Sequence, residues 1–241
     1  MKDPTQRLDK YLSNAGIASR RNIKKLLKSH IITVNGERIR ESGFRIDPKK
    51  DILLLNGEGI TQPQFEYFIL NKPKGVISTT SDERGRKNVA SFIQTKLRLY
   101  PVGRLDKDTT GLILLTNNGE LTHKLIHPKY HVPKIYLLKI KGVVLQHKID
   151  MFKNGVILED GITSPAIVKI VEENNTSTIL QVTLFEGKNR QIRRMCEKLE
   201  LDLLELSRVA FGEIKIDNLK NGEYRKLSQD EVKLLEKAVE R

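Results

Sequence analysis

YPVGRLDKDTTGLILLTNNG, residues 100–119, sets a carboxylate, Asp106, between Arg104 and Lys107 and then enters an apolar run. That run, bounded by threonines and asparagines, reads as a buried strand whose approach is broken by the Asp106 loop. A loop that needed only solubility would not demand this order of charges. A loop that presents one ionised carboxylate to a polyanion would.

Working outward, FEYFIL (65–70), KIYLLKI (134–140), SPAIVKIV (164–171) and STILQVTLF (177–185) read as further strands. Helical periodicity appears at NVASFIQTKL (88–97), ELTHKLIH (120–127), LQHKIDMFKNG (145–155) and NRQIRRMCEKL (189–199). Ser228 and Glu231 have capping-box spacing at the head of a last helix. Strands outnumber helices and do not alternate with them, so the expected class is α+β, on a mostly antiparallel mixed sheet.

The 241 residues suffice for one large domain and a small one. A net charge of +13 favours an anionic partner. No apolar run approaches a spanning helix, and the first residues lack a signal-peptide core. Of the anionic partners this favours nucleic acid over a membrane, in a cytoplasmic protein. With a single cysteine, Cys196, there is no intramolecular disulfide and no cysteine-based zinc site.

Residues 1–55 read as a small unit, 56–64 as a polar linker and 65–241 as the large domain. In RLDKYLSNAG, Leu8, Tyr11 and Leu12 form a helical face closed by Gly16. Ser19 can cap a second helix, on which Ile23, Leu26 and Leu27 make one stripe and Arg21, Lys24, Lys25 and Lys28 the opposite one. IITVNGERI reads as two strands turned at Asn35-Gly36, and FRIDPKKDILLLNG as another strand pair. The basic stripe could be a solvated face. Four like charges within two turns repel, however, and an anionic partner better explains the missing acids. RLDKYLSNAGIASRRNIKKLLKSHIITVNGERI (7–39) resembles an S4 domain, a small RNA-binding module. The resemblance implies that Arg20, Arg21, Lys24, Lys25 and Lys28 meet RNA.

No Gly-rich phosphate loop, dinucleotide fingerprint or nucleophile elbow is present. His123 and His127 stand one helical turn apart, with Glu120 as a third candidate ligand. Cys196 shares a helical face with Ile192, Met195 and Leu199, which suits packing better than nucleophilic chemistry. Asp106 and Asp108 have a spacing that holds Mg²⁺ in some enzymes, although Arg104 and Lys107 would compete with the cation.

LNKPKGV (70–76), GRLDKDTTGLILLTNNG (103–119), KIYLLKI (134–140) and EGKNRQIRRM (186–195) occur in that order. Together with the S4-like segment they resemble the RsuA family of ribosomal RNA pseudouridine synthases, most of all its large-subunit, RluF-like branch. Such enzymes isomerise uridine within RNA. The resemblance implies Asp106 as catalyst, Arg193 as its ion-pair partner and Tyr136 stacked on a flipped uracil, with no cofactor and no metal. It further implies Arg104 in the space the uridine vacates, Asn189 and Arg190 on the substrate, and Leu206 as an apolar wall. Tyr136 could instead be a core aromatic of its strand. The expected partner is ribosomal RNA, free or within a pre-ribosomal particle, for a monomeric protein. A non-catalytic S4 RNA-binding factor and a metal-dependent RNA-processing enzyme are the alternatives from other classes.

Overall fold

The computed structural model describes residues 5–80 and 85–240 and divides into two compact units. The first takes the chain to Phe65 together with Thr95–Arg98, and the second takes Glu66–Gln94 and the chain from Leu99 on. No described helix is long and apolar enough to cross a membrane.

In the first unit, β1 (Gln6–Arg7) leads into α1 (Leu8–Asn14), which buries Leu8, Tyr11 and Leu12. The chain reverses at Gly16, φ +80°, and Ser19 Oγ caps α2 (Arg20–Ser29) by accepting from Asn22 N. Ile23 and Leu27 turn inward while Arg21, Lys24, Lys25 and Lys28 stay exposed. β2 (Ile32–Val34) passes through Asn35 and Gly36, both at positive φ, into β3 (Glu37–Arg38), as a tight hairpin requires.

FRIDPKKDILLLNG does not pair with itself. Its first half, β4 (Arg45–Ile46), pairs with β1, and its second, β5 (Leu53–Leu55), pairs with β2. Between them Asp51 closes the turn, accepting from Asp47 N at 2.7 Å and Asn35 Nδ2 at 2.9 Å. β6 (Glu58–Gly59), in the polar segment, pairs with β5.

The second unit is built on β7 (Tyr67–Lys72), β8 (Tyr100–Pro101), β9 (Thr110–Thr116), α3 (Gly119–Ile126), β10 (Lys134–Lys141) and α4 (Gln146–Asn154). A small hairpin, β11 (Ile157–Leu158) and β12 (Gly161–Ile162), precedes β13 (Ile167–Glu173), β14 (Ser177–Leu184) and α5 (Gln191–Lys198). The chain ends in β15 (Leu203–Phe211), β16 (Ile214–Lys215), β17 (Tyr224–Lys226) and α6 (Gln229–Lys237). Among the described residues nine strands form one sheet in the order β13-β14-β10-β15-β9-β7-β17, with β16 on β15 and β8 on β9. Every pairing is antiparallel except β9 with β15.

That parallel contact lies next to the Asp106 loop, where Gly111 faces Arg208. Gly111 has φ +100°, and a Cβ there would collide with the Arg208 backbone, so only glycine lets the two strands meet. α4 and α5 cover one apolar cluster around Leu138, Phe152, Leu180, Val182 and Met195. α3 and α6 cover a second around Leu112, Leu114, Leu125, Phe211 and Leu235. The segment 88–97 is not the helix expected. Asn88 Oδ1 caps a single 3₁₀ turn, Val89–Phe92, and the chain leaves extended at Ile93. Val, Ser, Phe, Ile and Thr all form helix poorly, and Val89 and Ile93 are buried from the short turn and the extended chain after it without a longer helix.

Candidate active site

The second unit contains a cavity of about 680 Å³ lined by Arg104, Asp106, Tyr136, Asn189, Arg190, Arg193 and Leu206 among others. All seven residues expected at the large domain's site therefore meet in one place, although they come from four separate stretches of chain. Tyr136 of β10 and Leu206 of β15 floor it, and α5 with its N-terminal loop supplies one wall.

Asp106 is held by the backbone on both sides of it. Ser78 Oγ donates to Leu105 O at 2.7 Å and accepts from Leu105 N at 3.0 Å. Lys107 O accepts from Gly75 N at 2.8 Å and from the Lys72 ammonium at 3.4 Å. Lys72, fully buried, also donates to Val76 O at 2.8 Å and Pro73 O at 3.1 Å. Burial pushes its ammonium down to about 8, against the pull of Asp108 and Asp106. Sequence inspection assigned no role to Lys72 or Ser78, yet LNKPKGVIS is the brace on which the Asp106 loop is built. The signal available in the sequence was Lys72 at the end of an apolar strand, directly before Pro73 and Gly75.

The charges that meet Asp106 are not its sequence neighbours. Arg104 and Lys107 are exposed, whereas Arg190 Nη1 and Arg193 Nε lie 3.8 and 3.9 Å from Asp106 Oδ2. Arg193 was expected in this place; Arg190 shares it equally. Arg190 reaches it because the residue before α5 is left-handed, φ +47°, which turns the chain back toward the loop. Arg193 is anchored by Nη2, which donates to Asp108 O at 3.0 Å and Thr109 Oγ1 at 3.4 Å. Its Nε is buried without a hydrogen-bond partner and faces the carboxylate. Both guanidiniums stop short of hydrogen-bond distance, so the carboxylate sits in positive potential with its lone pairs open. A base or nucleophile needs that combination.

A second network sets the wall. Glu186 accepts from Ser164 N, Ser164 Oγ and Gln191 Nε2, at 2.9, 3.0 and 2.7 Å, and Gln191 Oε1 accepts from Lys188 N at 3.0 Å. Asp160, at the β11–β12 turn, takes a bidentate pair from Arg194 at 2.8 and 3.0 Å, and these hydrogen bonds hold its carboxyl below the usual range.

A family model described as RNA pseudouridylate synthase matches residues 66–198, and the S4 domain model matches residues 6–52. The chain belongs to the RNA pseudouridylate synthase family. The synthase is 40% identical over 233 residues to a ribosomal large subunit pseudouridine synthase B of Bacillus subtilis, with 95% of each chain covered. It is 34% identical to the dual-specificity RNA pseudouridine synthase RluF of Escherichia coli, over 99% of this chain and 81% of that one. A crystal structure of a pseudouridylate synthase, 31% identical, superimposes with a TM-score of 0.69 over 95% of this chain and 99% of the other.

Other candidates fall into place around the synthase site. Cys196 is buried and its thiol is pushed up to about 12 by burial, so it packs in the core. His127 Nδ1 accepts from Lys129 N and caps a 3₁₀ turn, with the His123 ring 5.6 Å away. Among the described residues no three His, Cys, Asp or Glu side chains converge as a metal site requires.

In the S4 unit, Lys24, Lys25 and Lys28 line a depression of about 480 Å³ with Arg40, Glu41, Ser42 and Gly43. Arg40, from the loop after β3, was not singled out in the sequence. Arg20 stands apart from the stripe: its Nη2 donates to both Asp9 oxygens at 3.2 Å, where Arg7 also binds. Burial works to raise the Asp9 carboxyl, and the hydrogen bonds from Arg7 and Arg20 outweigh it and hold it low. Arg20 is thus a tie between α1 and α2, with the rest of its side chain exposed.

Proposed function

We propose that this synthase isomerises a uridine of ribosomal RNA, in the large subunit, with Asp106 as the catalytic carboxylate and no cofactor. The observation that carries the assignment is the unbonded Asp106 carboxylate facing Arg190 and Arg193 in a cavity floored by Tyr136 and Leu206. The glycosidic carbon is shielded in stacked RNA, so the base must leave the stack. Tyr136 offers the flipped uracil a π-face and Leu206 an apolar wall. Exposed Arg104, at the cavity mouth, fills the space left behind, and Asn189 and Arg190 hold the nucleotide's polar edge. The two arginines set positive charge 3.8 and 3.9 Å from the Asp106 carboxylate, on the side where a phosphate-rich strand would arrive.

Residues 1–55 act as the RNA-gripping module through Arg21, Lys24, Lys25 and Lys28, joined by 56–64 to a catalytic domain of 65–241. The target follows the relative named for the large subunit; the relative named as dual-specificity supports a second RNA as the alternative. Chemical mapping of pseudouridine in a strain lacking the gene tests this. The expected loss is one modification in large-subunit RNA. Loss confined to small-subunit or transfer RNA would overturn the target.

A further inference from the structure

Two cations are buried beside the strand residues that line the cavity, and the site described above uses neither. Strand register sets Lys134 opposite Leu184 and Phe211, and Tyr136 opposite Val182 and Arg208. Opposed residues of antiparallel strands share a face, as do alternate residues along one strand. A β-bulge in β15 at Val209, between the Ile135 and Tyr136 pairings, lets Arg208 and Phe211 both come to this side. Lys134 therefore lies beside Tyr136 and Leu184, and Arg208 beside Tyr136 and Leu206. Those three neighbours line the cavity.

Lys134 is 8% exposed and Arg208 3%. Their charged groups flank one ring, with Lys134 Nζ 5.7 Å and Arg208 Cζ 5.4 Å from the Phe211 centroid. Arg208 Nε donates to Leu112 O at 2.8 Å, while its Nη2 is buried with no partner. Among the described residues no carboxylate makes an ion pair with either. Glu186, the acid nearest in effect to Lys134, is engaged by Ser164 and Gln191. Burial, and then Arg208, push the Lys134 ammonium down to about 8, so it remains mostly charged at neutral pH. Unpaired buried charge destabilises a fold, and apolar residues of similar volume would do better. Rules of packing are broken in this way where function requires it.

The reaction supplies the requirement. The C1′–N1 bond breaks and its electron pair stays on the uracil ring. The ring then turns, C5 bonds to C1′ with an electron pair from the ring, the C5 proton leaves to a base, and N1 takes up a proton. Between the two bond events the ring is electron-rich. We propose that Lys134 and Arg208 are positioning residues, which hold fixed positive charge beneath Tyr136 and stabilise the uracil lying on that tyrosine while it carries the electron pair of the broken bond. The inference rests on the Asp106 cavity being where the uridine reacts.

The test uses the full chain and a large-subunit RNA transcript labelled with [5-³H]uridine, in single-turnover tritium release. Lys134→Met is expected to keep or raise the melting temperature, to bind RNA within about twofold of wild type, and to react at least tenfold more slowly. The charged and titratable groups facing Lys134 are Arg208, Glu186 and Tyr136, and Lys134 itself loses its charge as pH rises through about 8. The wild-type rate should therefore fall above about pH 8, and Lys134→Arg should lack that fall. A stable Lys134→Met with the wild-type rate would overturn the proposal. If Lys134→Met is unstable, identical pH profiles for wild type and Lys134→Arg overturn it instead, and a fall missing only in Lys134→Arg sustains it. Asp106→Asn separates the two readings: activity retained there removes the cavity assignment, whereas inactive Asp106→Asn beside fully active Lys134→Met removes this inference alone.

Discussion

Ser78→Ala removes one oxygen and should cost far more than one hydrogen bond. The Ser78 hydroxyl is buried and satisfies both backbone groups of Leu105, donating to O at 2.7 Å and accepting from N at 3.0 Å. Alanine leaves that N–H and C=O buried without partners, at about 1–3 kcal/mol each, so a loss of about 2–4 kcal/mol is expected. For a domain of this size each kcal/mol lowers the melting temperature by about 2–4 °C, which gives roughly 5–15 °C. The kinetic effect is separate. Leu105 precedes Asp106, and a loop free to shift by about 1 Å can lose up to about 100-fold in rate by misplacing the reacting group. Thermal unfolding followed by calorimetry, beside single-turnover tritium release, measures both. RNA affinity should hold, because the hydroxyl is spent on the backbone. Ser78→Ala with unchanged melting temperature and unchanged rate would refute the idea that this hydroxyl braces the catalytic loop.

Lys72→Met tests the other side of the brace through pH. The Lys72 ammonium is pushed to about 8 when folded, below an unfolded lysine, so the unfolded chain binds more protons between about pH 8 and 10.5. Wild-type stability should therefore gain about 3 kcal/mol relative to Lys72→Met as pH rises through that window, read by urea unfolding at several pH values; parallel curves would contradict it. Replacing Arg21, Lys24, Lys25 and Lys28 by Gln should lower the slope of log K against log[salt] by up to about 3, and an unchanged slope would make the stripe a solvated face. Tyr136→Phe should bind RNA nearly as well as wild type, while Tyr136→Ala should lose about 1–3 kcal/mol of stacking. A stable Tyr136→Ala with full activity would remove the stacking role.

Local signals carried much of the fold. Ser19 at the head of α2, Asn35-Gly36 at positive φ and the Ser228–Glu231 capping box each behave as their chemistry dictates. What escaped was set by distant partners. β15, LLELSRVAF, carries Glu205, Ser207 and Arg208 and shows no clean alternation, yet β10 and β9 flank it on both sides. β4 likewise finds its partner in β1, about forty residues earlier, which no short-range pattern announces. At the site, the motifs and the family resemblance named Asp106, Tyr136 and Arg193, which line one cavity, but charge adjacent in sequence misled. The positive field comes from Arg190 and Arg193, delivered by a left-handed turn before α5, while Arg104 and Lys107 face solvent.

The central claim is that one carboxylate, Asp106, performs the isomerisation unaided by metal. Tritium release from [5-³H]uridine-labelled large-subunit RNA, with wild type, Asp106→Asn and Asp108→Asn, each with and without EDTA, tests it most directly. The account predicts turnover by wild type in EDTA, none by Asp106→Asn despite retained RNA binding, and Asp108→Asn within about tenfold of wild type, roughly 1.4 kcal/mol. Activity abolished by EDTA, or lost equally in both substitutions, would contradict it.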